Sequence, residues 1–298
     1  MFFENKSKVG VNMKEIKIVV VDDSPFSVAM LTNMLNENGF NVVGSANNLE
    51  EAVDAVVQFN PDVVTMDMTM QGTNGIECTK AIHLVKPDMK VIIVSSMMDD
   101  EIVRNAKKEN ISGYVQKPVD SEELSLLINR IMADEALFSE LEALYYTVFK
   151  EALTDTCNKF FKAVPEFQKE DNTNEAQVSR GVSVVMGIIG KYGGRMILDM
   201  SYTTAKNMAV ALLKKDFQSK EEIINTMAEI ANIVAGNACS LLNKSNKLLG
   251  LRVAPPTVVY GESLNISKSE LDSLASTKAE TTFGELYMSI GFKRGECK

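Results

Sequence analysis

Polar residues stand at the carboxyl ends of four short apolar runs, and together they could transfer a phosphoryl group. Asp22 and Asp23 follow IKIVVV (16–21), and Asp67 falls in PDVVTMDM (61–68). Ser95 falls in KVIIVSS (90–96) and Lys117 in GYVQKP (113–118). Three carboxylates drawn into one crevice repel each other unless a hard cation joins them, and such an all-oxygen site suits Mg²⁺. One carboxylate can then act as nucleophile toward a phosphoryl group, while the lysine and the hydroxyl take up the developing charge. A lone Asp-Asp pair after a strand is usually a solvated turn, but matching chemistry on several separate elements points to a site instead.

A second group lies on a helical stretch around 221–243. At 3.6 residues per turn, Met227, Ala231, Val234, Ala238 and Leu241 share one face. Asn225, Glu229, Asn232 and Gly236 share the opposite one. A carboxylate and a carboxamide at i and i+3 are close enough to act together. Gly236, one turn on, leaves room for another backbone to approach. Taken alone, Glu-x-x-Asn on an exposed helix face is bland and usually only a solvated surface.

The elements that must position these residues divide the chain in two. From Glu15 to about Arg130, Val- and Ile-rich runs (with NVVGSA, 41–46, as a fifth) alternate with helical stretches such as SVAMLTNMLNENG, which Gly39 ends. Near-continuous apolar runs are the mark of strands covered on both faces, so the spacing predicts an α/β doubly wound parallel sheet. Ligands of such sheets sit beyond the carboxyl ends of the strands, where the polar residues fall. The second half predicts a long helix, a strand pair (GVSVVMGIIG and RMILDMSY) turning at KYGG, and two further helices. Strand-like pieces around RVAPPTVVYGES and FGELYMSIGFK follow, which makes an α/β (α+β) domain with a largely antiparallel sheet. No Gly or Pro occurs between Pro118 and Pro165, so the last helix of one half and the first of the next form one rod or two stacked helices. Asp134 and Glu135 could mark a new helix start.

Bulk composition excludes several function classes. The 298 residues are 45% hydrophobic and 24% charged, enough to build real cores. The net charge is −9, with the acid concentrated before Arg130 and no Lys/Arg-rich run, so nucleic acid is not an expected partner. Four scattered cysteines (Cys78, Cys157, Cys239, Cys297) match neither a disulfide framework nor a zinc site. Reduced thiols in a cytoplasmic protein are the expectation, with no membrane insertion and no secretory signal in residues 1–14. The single histidine, His83, excludes catalysis by several histidines and reads as a helix-surface residue.

The segments VVVDDS, VTMDM, VIIVSS and YVQKP, in this order, resemble those of two-component response-regulator receivers across 15–131. The resemblance implies a CheY-like, flavodoxin-like fold with Mg²⁺ at Asp22, Asp23, Asp67 and the backbone carbonyl of Thr69. It implies phosphorylation of Asp67 by a sensor histidine kinase or small phosphodonor. Ser95 and Lys117 read the phosphoryl group, Tyr114 is the switching aromatic, and Lys117–Pro118 is a cis bond. Met70-Gln71 departs from the family's usual Met-Pro. MAEIANIVAGNACSLL followed by PPTVVYGESLNI resembles the CheX/CheC phosphatases of chemotaxis, with coverage of 141–298 after a helical junction at 132–140. That likeness implies hydrolysis of phosphoaspartate on a receiver, with Glu229 pairing the receiver's lysine and Asn232 orienting water. The family usually has Asp or Ser where this chain has Asn225. One Glu-x-x-Asn site per chain and a homodimer are the CheX-like expectations. A second reading stays open: an adaptor switched by phosphorylation, which dimerises and binds receivers without useful turnover.

Overall fold

The computed structural model describes residues 15–96, 110–168, 177–215, 219–266 and 271–295. Residues 1–14, which the sequence reads as a short N-terminal tail, and Cys297 lie outside them. The chain divides into two compact units, one through Asp134 and one from Glu135.

In the first unit, β1 (Lys17–Val21), α1 (Pro25–Glu37), β2 (Asn41–Ala46), α2 (Leu49–Phe59) and β3 (Val63–Asp67) come in order. A two-residue pair, β4 (Thr69–Met70) and β5 (Thr73–Asn74), precedes α3 (Gly75–Val85), β6 (Lys90–Ser95) and β7 (Gly113–Gln116). The five long strands are parallel in the order β2-β1-β3-β6-β7. Alternate residues of these strands feed two cores. Val19, Val21, Val64, Met66, Val91 and Ile93 pack on one face with α2 and α3. Ile18, Val20, Val63, Ile92 and Val115 pack on the other with Leu31 and Leu35 of α1 and with Leu124, Ile128 and Ile131. Burial on both faces is why the runs lack polar alternation. Side-chain caps fix the helix starts: Ser24 accepts from the Ser27 N–H, Asn48 from Glu51 and Asn74 from Glu77.

Helix α4 (Ser121–Phe161) crosses the unit boundary without a break. Leu137, Phe138, Leu141, Tyr145, Phe149, Leu153 and Cys157, spaced three and four apart, belong to the core of the second unit. That unit continues with β8 (Glu166–Phe167), β9 (Gln177–Ile189), β10 (Gly193–Ser201), α5 (Tyr202–Leu213) and α6 (Lys220–Ser245). Then come β11 (Arg252–Val253), β12 (Thr257–Ile266), β13 (Ser273–Thr281) and β14 (Gly284–Lys293). Its sheet is antiparallel in the order β11-β9-β10-β14-β13-β8, with β12 also paired to β9. Inward residues alternate, as period-2 burial requires: Val182, Val184, Met186 and Ile188 on β9, and Leu286, Met288, Ile290 and Phe292 on β14.

The register opposes Asp199 to Ser183. Asp199 is fully buried and accepts from the Ser183 hydroxyl at 2.5 Å, the Arg180 backbone N–H at 3.1 Å and the Arg180 guanidinium at 2.9 Å. That guanidinium also stacks 3.3 Å above the Tyr287 ring. A buried carboxylate is tolerated here because hydrogen bonds and a cation replace its water.

Candidate functional site

The strand order reverses around β1, which neighbours both β2 and β3, and the crevice at that reversal gathers the polar residues. The carboxylates of Asp22, Asp23 and Asp67 each place an oxygen within 4.8 Å of the others. Asp22 and Asp67 are buried, and Asp23 is half-buried. Backbone donors aim them. The Ser24 N–H bonds Asp22 Oδ1 at 2.9 Å, the Thr69 N–H bonds Asp67 Oδ2 at 2.8 Å, and the Gln71 N–H bonds Asp23 Oδ2 at 2.8 Å. The last bond uses a donor that a proline at position 71 lacks, so the Gln71 departure is structural as well as sequential. Gly75 admits close approach, because a Cβ there would meet the Asp67 carbonyl at 2.6 Å.

Lys117 Nζ sits 2.9 Å from Asp22 Oδ2 and 2.5 Å from Asp67 Oδ1. Burial works to lower its pKa, but the hydrogen bonds and charges of Asp67 and Asp22 outweigh that and hold it above the usual lysine value. Ser95 is buried, and its carbonyl accepts from the Lys117 N–H at 2.7 Å, so the two residues end adjacent strands side by side. Tyr114, on β7, packs half-buried against the core beneath α2 and α3. Lys117–Pro118 is cis. His83 is half-buried and donates a ring N–H to the Met89 carbonyl at 3.1 Å, so it is part of the α3 terminus rather than a bare surface residue.

Three oxygen donors with one ammonium between them leave an excess of negative charge, and this donor set fits Mg²⁺. Thr69, whose carbonyl is the fourth expected ligand, lies exposed on β4, with its N–H on the acceptor carboxylate.

On α6, Met227, Ala231, Val234 and Ala238 are fully buried, as the periodicity predicts. By Leu241 the face has drifted: that residue is half-buried, and Leu242 is buried instead. Asn225 and Glu229 are exposed, and Asn232 and Gly236 are half-exposed. The side chains of Glu229 and Asn232 have no hydrogen-bond or ion-pair partner among the described residues. A Cβ added at Gly236 meets nothing within 4 Å, so the surface beyond Asn232 is open. Beside Glu229 is an open apolar pocket of ≈ 160 Å³, lined by Phe160, Leu212, Leu213, Ile230 and Ile233. Its only local sign in the sequence is weak: two isoleucines flanking Glu229 and Asn232.

A crevice of this build, on this sheet, defines a receiver module of two-component signalling. Residues 18–129 match the response regulator receiver domain family, and residues 182–278 match the chemotaxis phosphatase CheX family. The chain is 33% identical to chemotaxis protein CheY of Thermotoga maritima over 39% of this chain and 96% of that protein. A CheX structure from Desulfovibrio desulfuricans is similar at 20% identity and a TM-score of 0.46, covering 50% of this chain and 99% of that one. A chain of the CheX-CheY-BeF3-Mg²⁺ complex from Borrelia burgdorferi is similar at 25% identity and a TM-score of 0.44, covering 50% and 97%. The chain belongs to the response-regulator receivers through its first unit and carries a CheX domain in its second, a chemotaxis-type signalling architecture. No helix among the described residues is long and apolar enough to cross a membrane.

Proposed function

We propose that this protein hydrolyses phosphoaspartate on a response-regulator receiver, and that its own receiver regulates that activity. The observation that carries the reading is the pairing of Glu229 with Asn232. Both sit on the accessible face of α6, without internal partners, beside the open space at Gly236. A carboxylate and a carboxamide held this way, one helical turn apart, are positioned to engage something outside the fold.

In the receiver, an Asp67 carboxylate oxygen bonds to the phosphorus of a phosphodonor, a sensor histidine kinase or a small phosphorylated molecule, while the donor's own bond to that phosphorus breaks and the dephosphorylated donor leaves. Lys117 and Ser95 take the charge that develops on the transferred group. Asp22, Asp23, Asp67 and the Thr69 carbonyl would hold Mg²⁺, which when bound supplies positive charge against the phosphoryl oxygens. Tyr114 would report occupancy of the crevice from β7.

In the output reaction, Glu229 pairs with the lysine of the substrate receiver and thereby docks α6 over the phosphoaspartate. Asn232 hydrogen-bonds a water and aims it in line with the phosphorus. The water oxygen bonds to phosphorus, the bond from phosphorus to the aspartate oxygen breaks, and inorganic phosphate and a free carboxylate result. This is catalysis by placement, which needs no unusual acid or base on α6. On the same reading the chain is a cytoplasmic homodimer.

Phosphate release from a phosphorylated chemotaxis receiver, with the full chain and with Asn232→Ala, tests the proposal. Turnover by the first and its loss in the second are expected. Binding of the phosphorylated receiver with no release of phosphate would replace the enzyme with a receiver-binding adaptor.

A further inference from the structure

The apolar pocket beside Glu229 has no part in the chemistry proposed above. Its walls come from three helices: Phe160 from α4, Leu212 and Leu213 from α5, and Ile230 and Ile233 from α6. Leu213 is 47% exposed, so the pocket presents hydrocarbon to solvent next to a carboxylate. Exposed apolar concavities rimmed by charge mark surfaces that meet a partner.

The first unit carries a matching feature. Phe26 is 77% exposed on the first turn of α1, and Met30, one turn further along the same face, is 36% exposed. Phe26 is not on a loose loop. Pro25 opens the helix, Ser24 caps it, and the Ser24 N–H is bonded to Asp22 Oδ1. The backbone that carries Phe26 is thereby held in a fixed relation to the crevice.

Resting on the phosphatase reading, the two features lie on the surfaces that face each other when the substrate is another copy of this chain. If Asn232 is to steer water onto a phosphorylated Asp67, the surface around Asn232 has to abut the surface around Asp67. The pocket belongs to the first surface, and Phe26 to the second. Charge agrees with the same pairing, because Glu229 flanks the pocket while the Lys117 ammonium, 25% exposed, lies in the crevice.

We propose that the Phe26 side chain of a second copy's receiver seats in the pocket beside Glu229. The chain then acts on its own kind in trans, and the pocket selects receivers that carry a large apolar residue at this point of their first helix. Such a contact adds docking affinity by burial, equally in the bound state and the transition state, so its removal weakens encounter and leaves the chemical step intact.

The experiment uses two full-length forms. Asp67→Asn serves as enzyme, since it cannot be phosphorylated, and Asn232→Ala serves as substrate, pre-loaded with acetyl phosphate. Loss of phosphoaspartate from the second on adding the first is followed over a range of substrate concentrations. Phe26→Ala in the substrate, or Ile233→Ser in the enzyme, is expected to raise KM about tenfold with kcat unchanged. The two changes together should do little more than either alone, as for residues in direct contact. Additive effects, or a fall in kcat at constant KM, overturn the pocket assignment. Turnover of a different phosphorylated receiver with none on this one rejects self-recognition and leaves the phosphatase standing. Release from neither, with the Asp67→Asn form and also with the wild-type chain as enzyme, removes the reading on which it rests.

Discussion

The Lys117 ammonium lies 2.5 Å from Oδ1 of Asp67 and bridges to Asp22 as well, so the crevice carries an internal countercharge. Its pKa is raised, so its contribution to stability is complete below the unfolded lysine value of about 10.4 and is lost as pH rises through the folded value. In metal-free buffer, Lys117→Met should cost about 1–3 kcal/mol at neutral pH, the worth of hydrogen bonds between charged groups. Urea denaturation across pH should show that difference steady from about pH 6 to 9 and shrinking only above about 10.4. A difference already gone at about pH 8 would contradict the bridge.

Asn232→Ala should lower phosphate release by at least about 100-fold if it aims the attacking water, because placement of this kind supplies several powers of ten. Glu229→Gln should act differently. On the proposed reading it removes a charge that would meet the substrate lysine, so KM should rise and its dependence on salt should weaken. Equal loss of kcat in both variants would argue that the two side chains form one unit instead.

Asp199 offers a test of the second fold independent of activity. Asp199→Ala strands the Arg180 N–H groups and leaves the Ser183 hydroxyl with Ser179 Oγ at 2.9 Å as its remaining partner, and should cost about 2–3 kcal/mol. Arg180 is partly exposed, so water offsets some of the loss. The chain has seven tyrosines and no tryptophan, and all but Tyr114 lie beyond Glu135, so tyrosine fluorescence reports mainly on this unit. An unchanged denaturation midpoint would show that the network does not matter.

The receiver crevice was legible because each of its polar residues directly ends an apolar run, and the parallel topology does the rest. The Asp199 network was not. In RMILDMSY the aspartate looks like an outward residue of a half-exposed strand, and only pairing with Ser183 on β9 encloses it. Strand β13 was equally hard to discern. Its inward residues Ser273, Ala275, Thr277 and Ala279 are small, so the alternation is real but carries little hydrophobic signal. The pocket beside Glu229 is assembled from three helices, one of them well before the others in sequence, and the two isoleucines next to Glu229 and Asn232 are its only local trace.

The buried thiols should be inert while the protein is folded. Burial pushes Cys157 up to about 11 and Cys239 up to about 12, and raises Cys78 as well. At about pH 8 all three should resist iodoacetamide until denaturant is added, with mass spectrometry locating the label. Labelling of Cys157 or Cys239 in the native protein would mean that the second core opens on the timescale of the reaction.

Communication between Asp67 and the output reaction is expected to depend on α4, which has no glycine or proline at the unit boundary. Inserting Gly-Gly between Asp134 and Glu135 costs the helix about 1 kcal/mol per glycine. Phosphate release should persist in this variant while its response to phosphorylation of Asp67 disappears. Regulation identical to the parent would assign the signal to another route.

The burial of Phe138 governs where the gene can be cut. Its ring meets Tyr192 edge-on at 5.1 Å, Arg294 lies over it, and Arg294 in turn bonds Glu135 at 3.1 Å. A C-terminal fragment beginning at 139 or 141 would lose this aromatic plug and open a hole under the sheet, at about 3–5 kcal/mol for a phenylalanine. Expression clones of the isolated half should therefore begin no later than Glu135.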